Sequence, residues 1–247
     1  GQVARARPDG HALLISSASN HVFHPLVSPD LGYDVREALH GIAMMVDVPN
    51  VLAVNPGLGV ATVPELLARI RATPGGLAFG SSGTASSHHL AGELFRMMTG
   101  VEMTPIPYRG GGPVATDLVA GTIPTAFMNL PTVVGPMATG RIRVIGVCTE
   151  ERVRVRPDIP TVAEQGVPGY AVRSWTGLFA PRGTPRPVIE RLAEEMRAVL
   201  ESPVIRARLT DLASEPIFMP PARTDAFVRE EFDRWAPVVR AARVTLD

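Results

Sequence analysis

The hydrophobic positions in the first part of the chain follow two alternating patterns. Apolar residues recur at helical spacing in 63–71 and 87–98, and shorter helices are predicted to begin near Pro113 and Thr132. The alternation with strand-like runs predicts an α/β fold with parallel, doubly wound sheets. Those runs are short, apolar and bounded by Gly, Pro or polar residues, and they lie at 11–16, 42–54, 77–80, 103–107, 124–128, 142–148 and 175–180.

Several helix starts carry a polar capping residue next to a proline. Thr62 precedes Pro64 in the first turn of one predicted helix. Near the end of the chain, Thr184-Pro185 and Ser202-Pro203 open two further helices, and Thr224 opens a third. The apolar stripes of these last helices have a regular helical period, which favours core positions over a ligand site.

One uncharged run, 118–140, is long enough to raise the question of a membrane-spanning helix. Prolines and glycines interrupt it at many points, and this favours a strand and a short helix joined by turns. The interrupting residues are Pro124, Pro131, Pro136, Gly121 and Gly135.

Charge and cysteine content exclude several classes of function. The 24 basic and 24 acidic side chains balance, so the concentrated basic face that nucleic acid requires is not expected. All the basic residues are arginine, which excludes a Walker-type phosphate loop and lysine Schiff-base chemistry. Cys148 is the single cysteine in the sequence, so neither an intramolecular disulfide nor a cysteine metal cluster is possible.

The strongest candidate for a binding site is the segment 80–89, which joins a predicted strand to a predicted helix. Its small residues leave backbone N–H groups exposed at the positive end of the helix dipole, which favours a bound carboxylate or phosphate. The alternative is a serine-rich helix cap and tight turn without a ligand. The hydroxyl donors of this loop are Ser81, Ser82, Thr84 and Ser86.

A second loop, 108–113, repeats the arrangement with three glycines and a proline at a helix start. Glycines allow close approach to the backbone, and Arg109 has the fork geometry that binds carboxylates. The alternative is a flexible turn with a solvated arginine. Both loops are expected at the carboxyl ends of parallel strands, where α/β sheets bind ligands.

Catalytic and metal-binding patterns are not found. His21, His24, His88 and His89 lack the spacing and acidic partners of a zinc site. The Gly-x-Ser-x-Gly motif is absent, and no pair of carboxylates suggests acid–base chemistry. We expect no catalytic residue, metal or cofactor; His89 is interpreted either as a residue that orients the serine loop or as a structural histidine.

Seven segments in the same order resemble the extracytoplasmic solute receptors of tripartite tricarboxylate transporters, also called Bug receptors. Each segment is weak by itself, but the ordered set is specific. The segments are 7–14, 48–56, the serine loop through 93, 107–110, 140–147, 156–169 and 175–185.

The resemblance implies a two-lobed, type II (Venus-flytrap) periplasmic binding protein with doubly wound sheets. Lobe one would comprise 1–53 and 175–247, and lobe two 54–174. Such receptors bind a small organic carboxylate, namely a dicarboxylate, a tricarboxylate or an acidic amino acid, and pass it to membrane permease subunits. They are not enzymes and bind no nucleic acid.

The resemblance also implies which residues would contact the ligand. In lobe one these are Ser16, Ser17 and Asn20. In lobe two they are Ser81, Ser82, Gly83, Thr84, Ser86, His89, Tyr108, Arg109 and Asn129.

The sequence also departs from the family pattern. It starts just before Arg7, so it is identified as an N-terminally truncated member that lacks the first β-α-β unit of lobe one. Ala85 replaces a usual glycine, and Pro124 and Met128 stand where acidic residues are common. We expect weakened binding and an exposed apolar sheet edge that favours oligomers. Two alternatives are an α/β enzyme acting on an anionic small molecule through Ser82 or His89, and a truncated, non-transporting paralogue.

Overall fold

A computed structural model describes residues 1–28 and 31–245. Most of the chain forms two compact units, one of Gly1–Asp47 with Trp175–Ala241 and the other of Val48–Ser174 with Ala242–Val244. Both this division and the lobes expected from the sequence cut the chain within one long strand, Leu39–Val54. The lobe bounds themselves stay a prediction.

Strands and helices alternate through most of the chain. The strands are β1 (Leu14–Ser17), β2 (Leu39–Val54), β3 (Leu77–Ser81), β4 (Met103–Pro107), β5 (Thr125–Asn129), β6 (Arg143–Val147), β7 (Arg173–Pro181) and β8 (Glu215–Met219). The helices are α1 (His24–Val27), α2 (Val35–Ala38), α3 (Val63–Arg71), α4 (Ser87–Thr99), α5 (Gly111–Ala120), α6 (Leu130–Ala138), α7 (Arg186–Glu201), α8 (Pro203–Asp211) and α9 (Pro221–Ala242). Short 3-10 turns occupy Val3–Arg5 and Pro56–Leu58, and a π-helical turn occupies Ser19–Phe23.

The elements predicted from hydrophobic patterns are present, with small shifts of their ends. Helix α3 begins where its cap predicts, because the Thr62 side chain accepts a hydrogen bond from the Glu65 amide. The run 42–54 is a single strand despite Pro49, since Pro49 lies between two separate pairings. Residues up to Asp47 pair with β8, and residues from Asn50 pair with β5. A proline at this position interrupts neither of these two pairings.

The second unit contains the sheet that carries both predicted loops. Strand β3 lies between β4 and β5 and is parallel to both, as the alternating pattern predicts. The prediction of a purely parallel sheet is wrong, because β2 runs antiparallel to β5 and β6 and makes the sheet mixed. The carboxyl ends of β3, β4 and β5 are Ser81, Pro107 and Asn129.

Aromatic packing fixes helix α4 on this sheet. Phe79 of β3 and Phe95 of α4 both contact Phe127 of β5, with ring centroids 5.6 and 5.8 Å apart. A Cβ atom on Gly92 would lie 2.2 Å from the Phe79 ring, so glycine is required for this close approach. The start of α4 is thereby held over the carboxyl ends of β3 and β5.

In the first unit, β7 lies between β1 and β2, and β8 pairs with β2. Its core packs residues of β2 and β7 against α7, including Ile42, Leu178 and Ile189. The indole N–H of Trp175 donates to the buried Glu231 carboxylate at 3.0 Å. Strand β1 is at the edge of the strand order, and its Ile15 is 66% exposed.

Within residues 1–28 and 31–245, no helix has both the length and the apolar character needed to span a bilayer.

Candidate functional site

The serine loop, residues 81–86, connects β3 to α4, and hydrogen bonds of Ser86 fix its end. The Ser86 hydroxyl accepts a hydrogen bond from the His89 amide at 3.1 Å and donates one to the Gly83 carbonyl at 2.7 Å. The capping role that the sequence suggests is therefore confirmed for Ser86. A cap and an anion site are compatible, since one hydroxyl satisfies only part of a helix N-terminus.

Ala85 has an unusual backbone conformation within this loop. Its φ angle is 58°, in the left-handed region that a residue with a Cβ atom rarely adopts. Its amide N–H donates to Nδ1 of His89 at 3.2 Å. Glycine would adopt this conformation without strain.

His89 lies beside two charged side chains on α4, the buried Glu93 and the partly exposed Arg96. Its Nε2 lies 3.7 Å from the Glu93 carboxylate, which also accepts two bonds from Arg96 Nη1, at 2.8 and 2.7 Å. Burial lowers the pKa of His89, and Glu93 opposes that shift. His89 is therefore neutral at pH 7, with Nδ1 as an acceptor and the proton on Nε2.

His88 lies on the other side of the same turn and is also neutral. Its Nδ1 is 2.7 Å from the Ser82 hydroxyl oxygen. Burial lowers the pKa of His88, and the neighbouring amide of Asn129 partly opposes this shift. This contact brings together Ser82 and Asn129, two of the residues predicted for lobe two.

Several buried polar atoms lie at the carboxyl ends of β3 and β5, on the residue of β2 that pairs with the end of β5, and on the first turn of α4. Across the two described ranges of the chain, Ser81 Oγ and both Nδ2 and Oδ1 of Asn50 have no hydrogen-bond partner, and His88 Nε2 and Asn129 Oδ1 belong to neighbouring side chains that make no well-aligned bond. Asn50 and Asn129 are direct partners in the β2–β5 ladder. An unbonded buried polar atom costs about 1–3 kcal/mol, so such a concentration points to a polar ligand.

Asn50 was not among the residues selected from the sequence. It is fully buried in a strand of otherwise mostly apolar character, next to Pro49. The signal in the sequence was a polar residue, Asn50, within an apolar run that predicts a buried strand. Its significance becomes visible only through its pairing with Asn129.

The second predicted loop has a different environment. The Tyr108 amide donates to the Ser81 carbonyl at 2.9 Å, so this loop lies beside the end of β3. The Tyr108 hydroxyl donates to Asp117 at 2.8 Å, and burial together with Asp117 raises the pKa of Tyr108 to about 12. Arg109 is exposed. The loop is thus close to the serine loop, but its tyrosine hydroxyl is already engaged.

The residues predicted for lobe one belong to the first unit. Ser16 is buried and pairs with Gly177, and Ser17 pairs with Thr176. Asn20 is exposed in the π-helical turn Ser19–Phe23. These three residues lie within or directly after β1, whereas the nine predicted for lobe two lie in the other unit.

The described ranges contain no group of three His, Cys, Asp or Glu side chains able to hold a metal ion. The Ser82–His88 contact is the nearest arrangement to a nucleophile and base. The other side of His88 faces the amide of Asn129, whereas a catalytic dyad is usually oriented by a carboxylate.

Comparison with known proteins agrees with this geometry. Protein BugT of Bordetella pertussis is 34% identical over 238 residues, which cover 96% of this chain and 73% of that protein. The structure of R. palustris Rpa4515 with adipate has a TM-score of 0.90 at 34% identity, covering 99% of this chain and 82% of that one. MatC from Rhodopseudomonas palustris with bound malate has a TM-score of 0.82 at 29% identity, covering 96% and 82%.

A periplasmic transporter and the periplasmic binding protein BugD also match, with TM-scores of 0.89 and 0.85, and the predicted fold class is confirmed. A family model described as the tripartite tricarboxylate transporter family receptor matches residues 1–244. This chain therefore belongs to the receptor family of tripartite tricarboxylate transporters.

Proposed function

We propose that this chain is a periplasmic receptor that captures a small organic carboxylate for a tripartite tricarboxylate transporter. The observation that carries the proposal is the group of unpartnered, uncharged polar atoms around the serine loop. The serine loop would receive one carboxylate of the ligand, with Ser81, Ser82, Gly83, Thr84 and Ser86 as its neighbours.

The proposed site would bind an anion without a positively charged side chain. Helix α4 has 13 residues, and its N-terminal end carries a partial positive charge beside the loop. Hydrogen bonds from amides and hydroxyls to a carboxylate are charge-assisted, about twice as strong as neutral ones. Because His88 and His89 are neutral, the site relies on dipoles that are already fixed in place.

The ligands of two related structures support the class of ligand that we propose. Rpa4515 was solved with adipate and MatC with malate, and both ligands are dicarboxylates. We extend this class to the present chain: a dicarboxylate, with a tricarboxylate or an acidic amino acid as the other members of the class. Asn129 would contact the remainder of the ligand, whereas Ser16, Ser17, Asn20 and the Tyr108–Arg109 segment stay contacts predicted from the resemblance.

The proposal has three further parts. The receptor would deliver its ligand to permease subunits in the membrane, and it would act in the periplasm. It would catalyse no reaction. Membership of a family of receptors supports all three parts.

Isothermal titration calorimetry against adipate, malate, citrate and glutamate tests the function. We expect saturable binding of at least one carboxylate and none of its neutral diamide. With Nδ1 of His88 protonated and donating to Ser82 Oγ, the Ser82 hydroxyl donates to the charged ligand, and Ser82→Ala should weaken binding about 3- to 30-fold. Thr116→Ala, which removes an exposed hydroxyl from α5, is the matched control and should leave binding unchanged.

Two outcomes would count against the proposal. Binding of the diamide alone would show that the ligand is neutral. Steady turnover of an anionic ester by the wild-type protein, lost in His88→Ala, would instead favour the enzyme alternative through the Ser82–His88 contact.

A further inference from the structure

We propose that His89 is a positioning residue: its Nδ1 holds the Ala85 amide, and thereby keeps the serine loop in the conformation that receives the ligand. Glu93, held by Arg96, fixes the orientation of the imidazole ring from the side of its other nitrogen, Nε2. The proposal deepens the carboxylate-receptor function and rests on it for its effect on affinity. The hydrogen bond itself is tested below without any ligand.

The first observation is the strained backbone of Ala85. A φ angle of 58° is disfavoured for any residue with a Cβ atom, so surrounding contacts must hold it. Ala85 is 2% exposed, so solvent has little access to its amide. The contact with His89 at 3.2 Å supplies that amide with an acceptor.

The second observation is the direction in which the imidazole ring faces. Because Nδ1 accepts a hydrogen bond, neutral His89 carries its proton on Nε2. Nε2 lies 3.7 Å from Glu93 Oε1, so the carboxylate attracts this N–H and favours the tautomer. Arg96 binds both oxygens of the buried Glu93 through one nitrogen and offsets its charge.

The third observation is that the N-terminal end of α4 makes the other hydrogen bonds that hold the serine loop. Ser86 bonds to the Gly83 carbonyl and to the His89 amide, directly beside Ala85. If Ala85 relaxed to an ordinary conformation, Gly83, Thr84 and Ser86 would shift with it. His89 would thus act on the ligand through the loop, with both ring nitrogens directed at protein groups.

Protonation of His89 would break this arrangement. A protonated Nδ1 is a donor and would face the N–H of Ala85, so the hydrogen bond would be lost. In the described parts of the chain, the charged groups acting on the ring are Glu93 and Arg96, both on α4. Strand β3 contributes Phe79, which does not titrate. Burial lowers the pKa of His89, so the loss is expected below its usual range near 6.5.

Nitrogen NMR of the histidine rings tests the hydrogen bond directly in ligand-free protein. We expect His89 to show an unprotonated Nδ1 and a protonated Nε2 at pH 7, with cross-hydrogen-bond coupling to the Ala85 amide. A protonated Nδ1 would overturn the proposal. This measurement remains decisive if no carboxylate binds, an outcome that would count against the proposed function alone.

Variants then test the effect on affinity, with malate and adipate as probes. His89→Ala should weaken binding about 10- to 100-fold. His89→Asn should stay within about 3-fold at pH 7, because its Oδ1 can occupy the place of Nδ1 and accept the same bond. If His89→Asn loses as much affinity as His89→Ala, the acceptor role is wrong.

Ala85→Gly provides a second, independent test. Glycine adopts the left-handed conformation unaided, so the loss caused by His89→Ala should shrink about tenfold when it is combined with Ala85→Gly. Equal losses with and without Ala85→Gly would overturn the proposal. As the pH falls below the usual histidine range near 6.5, the wild-type protein should lose affinity relative to His89→Asn, a comparison in which titration of the ligand cancels.

Discussion

The serine loop and the glycine-rich loop that begins at Tyr108 have corresponding positions in the second unit but different environments. Both follow parallel strands, β3 and β4, at the same edge of the sheet. The serine loop is tied by Ser86 and His89 and lies beside buried, unpartnered polar atoms. The loop 108–112 presents an exposed Arg109, and α5 begins without a side-chain cap within the described structure.

The difference shows which features make a loop suitable for binding an anion. Position at a strand end is shared, so it does not distinguish the loops. An exposed arginine is surrounded by water, which screens its charge and weakens its pairing with an anion. Buried amides and hydroxyls have lost their water and gain more from a carboxylate. The comparison predicts large effects in the serine loop and small ones in its neighbour.

After His89→Ala, the largest effect is expected from a change at the serine-loop cap. Ser86→Ala removes the bonds to the His89 amide and the Gly83 carbonyl, and should lower the free energy of unfolding by about 1 kcal/mol and carboxylate affinity about tenfold. Urea denaturation and calorimetry measure the two quantities. Ser202→Ala is the control: Ser202 precedes α8, and the described structure gives it no side-chain cap bond. If Ser202→Ala has the same effects as Ser86→Ala, the hydrogen bonds of Ser86 do not cause the losses of stability and affinity.

The next largest effect is expected at Asn50, where a substitution should lower carboxylate affinity without lowering the free energy of unfolding. Asn50→Val removes two unpartnered polar atoms, so the unfolding free energy should stay constant or rise by about 1 kcal/mol. Carboxylate affinity should fall about 3- to 10-fold if these atoms contribute to the site.

Thr125→Val is the matched control for Asn50→Val. Thr125 is equally buried on β5, but its hydroxyl already donates to the Ala78 carbonyl at 2.8 Å. This change should destabilise the fold by about 1–2 kcal/mol and leave affinity unchanged. Destabilisation by both variants would show that Asn50 is satisfied in solution and not reserved for a ligand.

A smaller effect is expected at Tyr108, within the second loop. Tyr108→Phe removes the hydrogen bond to Asp117 and should cost about 1 kcal/mol of stability. Affinity should change less than about 3-fold, because this hydroxyl is engaged by the protein. Thermal unfolding and calorimetry on one sample check both values; loss of affinity without loss of stability would make Tyr108 a ligand contact.

The smallest effect is expected at Arg109. Arg109→Gln should alter stability by less than about 0.5 kcal/mol and affinity by less than about 3-fold. The salt dependence of binding should flatten slightly, since an exposed charge acts at long range. Titrations at low and high salt measure this slope. A tenfold loss at high salt would show that Arg109 pairs directly with the ligand, as its fork geometry suggested.

The limits of sequence reasoning are visible at particular elements. Helix α3 and strand β4 have the predicted bounds, because their signals are local: a threonine cap with proline, and a short apolar run. Strand β8 was not predicted, since Glu215–Met219 contains a proline and forms by pairing with the distant β2. The antiparallel course of β2 beside β5 is likewise a property of long-range pairing.

The sequence by itself determined the family, the strand–loop–helix framework and the location of the serine loop. These depend on residues close together in the chain, as in the Ser86 cap. Only the tertiary structure decided which polar side chains remain without partners and which are used internally. Asn50 and Asn129 meet through strand pairing, and His89 faces Ala85 and Glu93. Burial and hydrogen-bond partners are set by distant segments, so local sequence patterns cannot specify them.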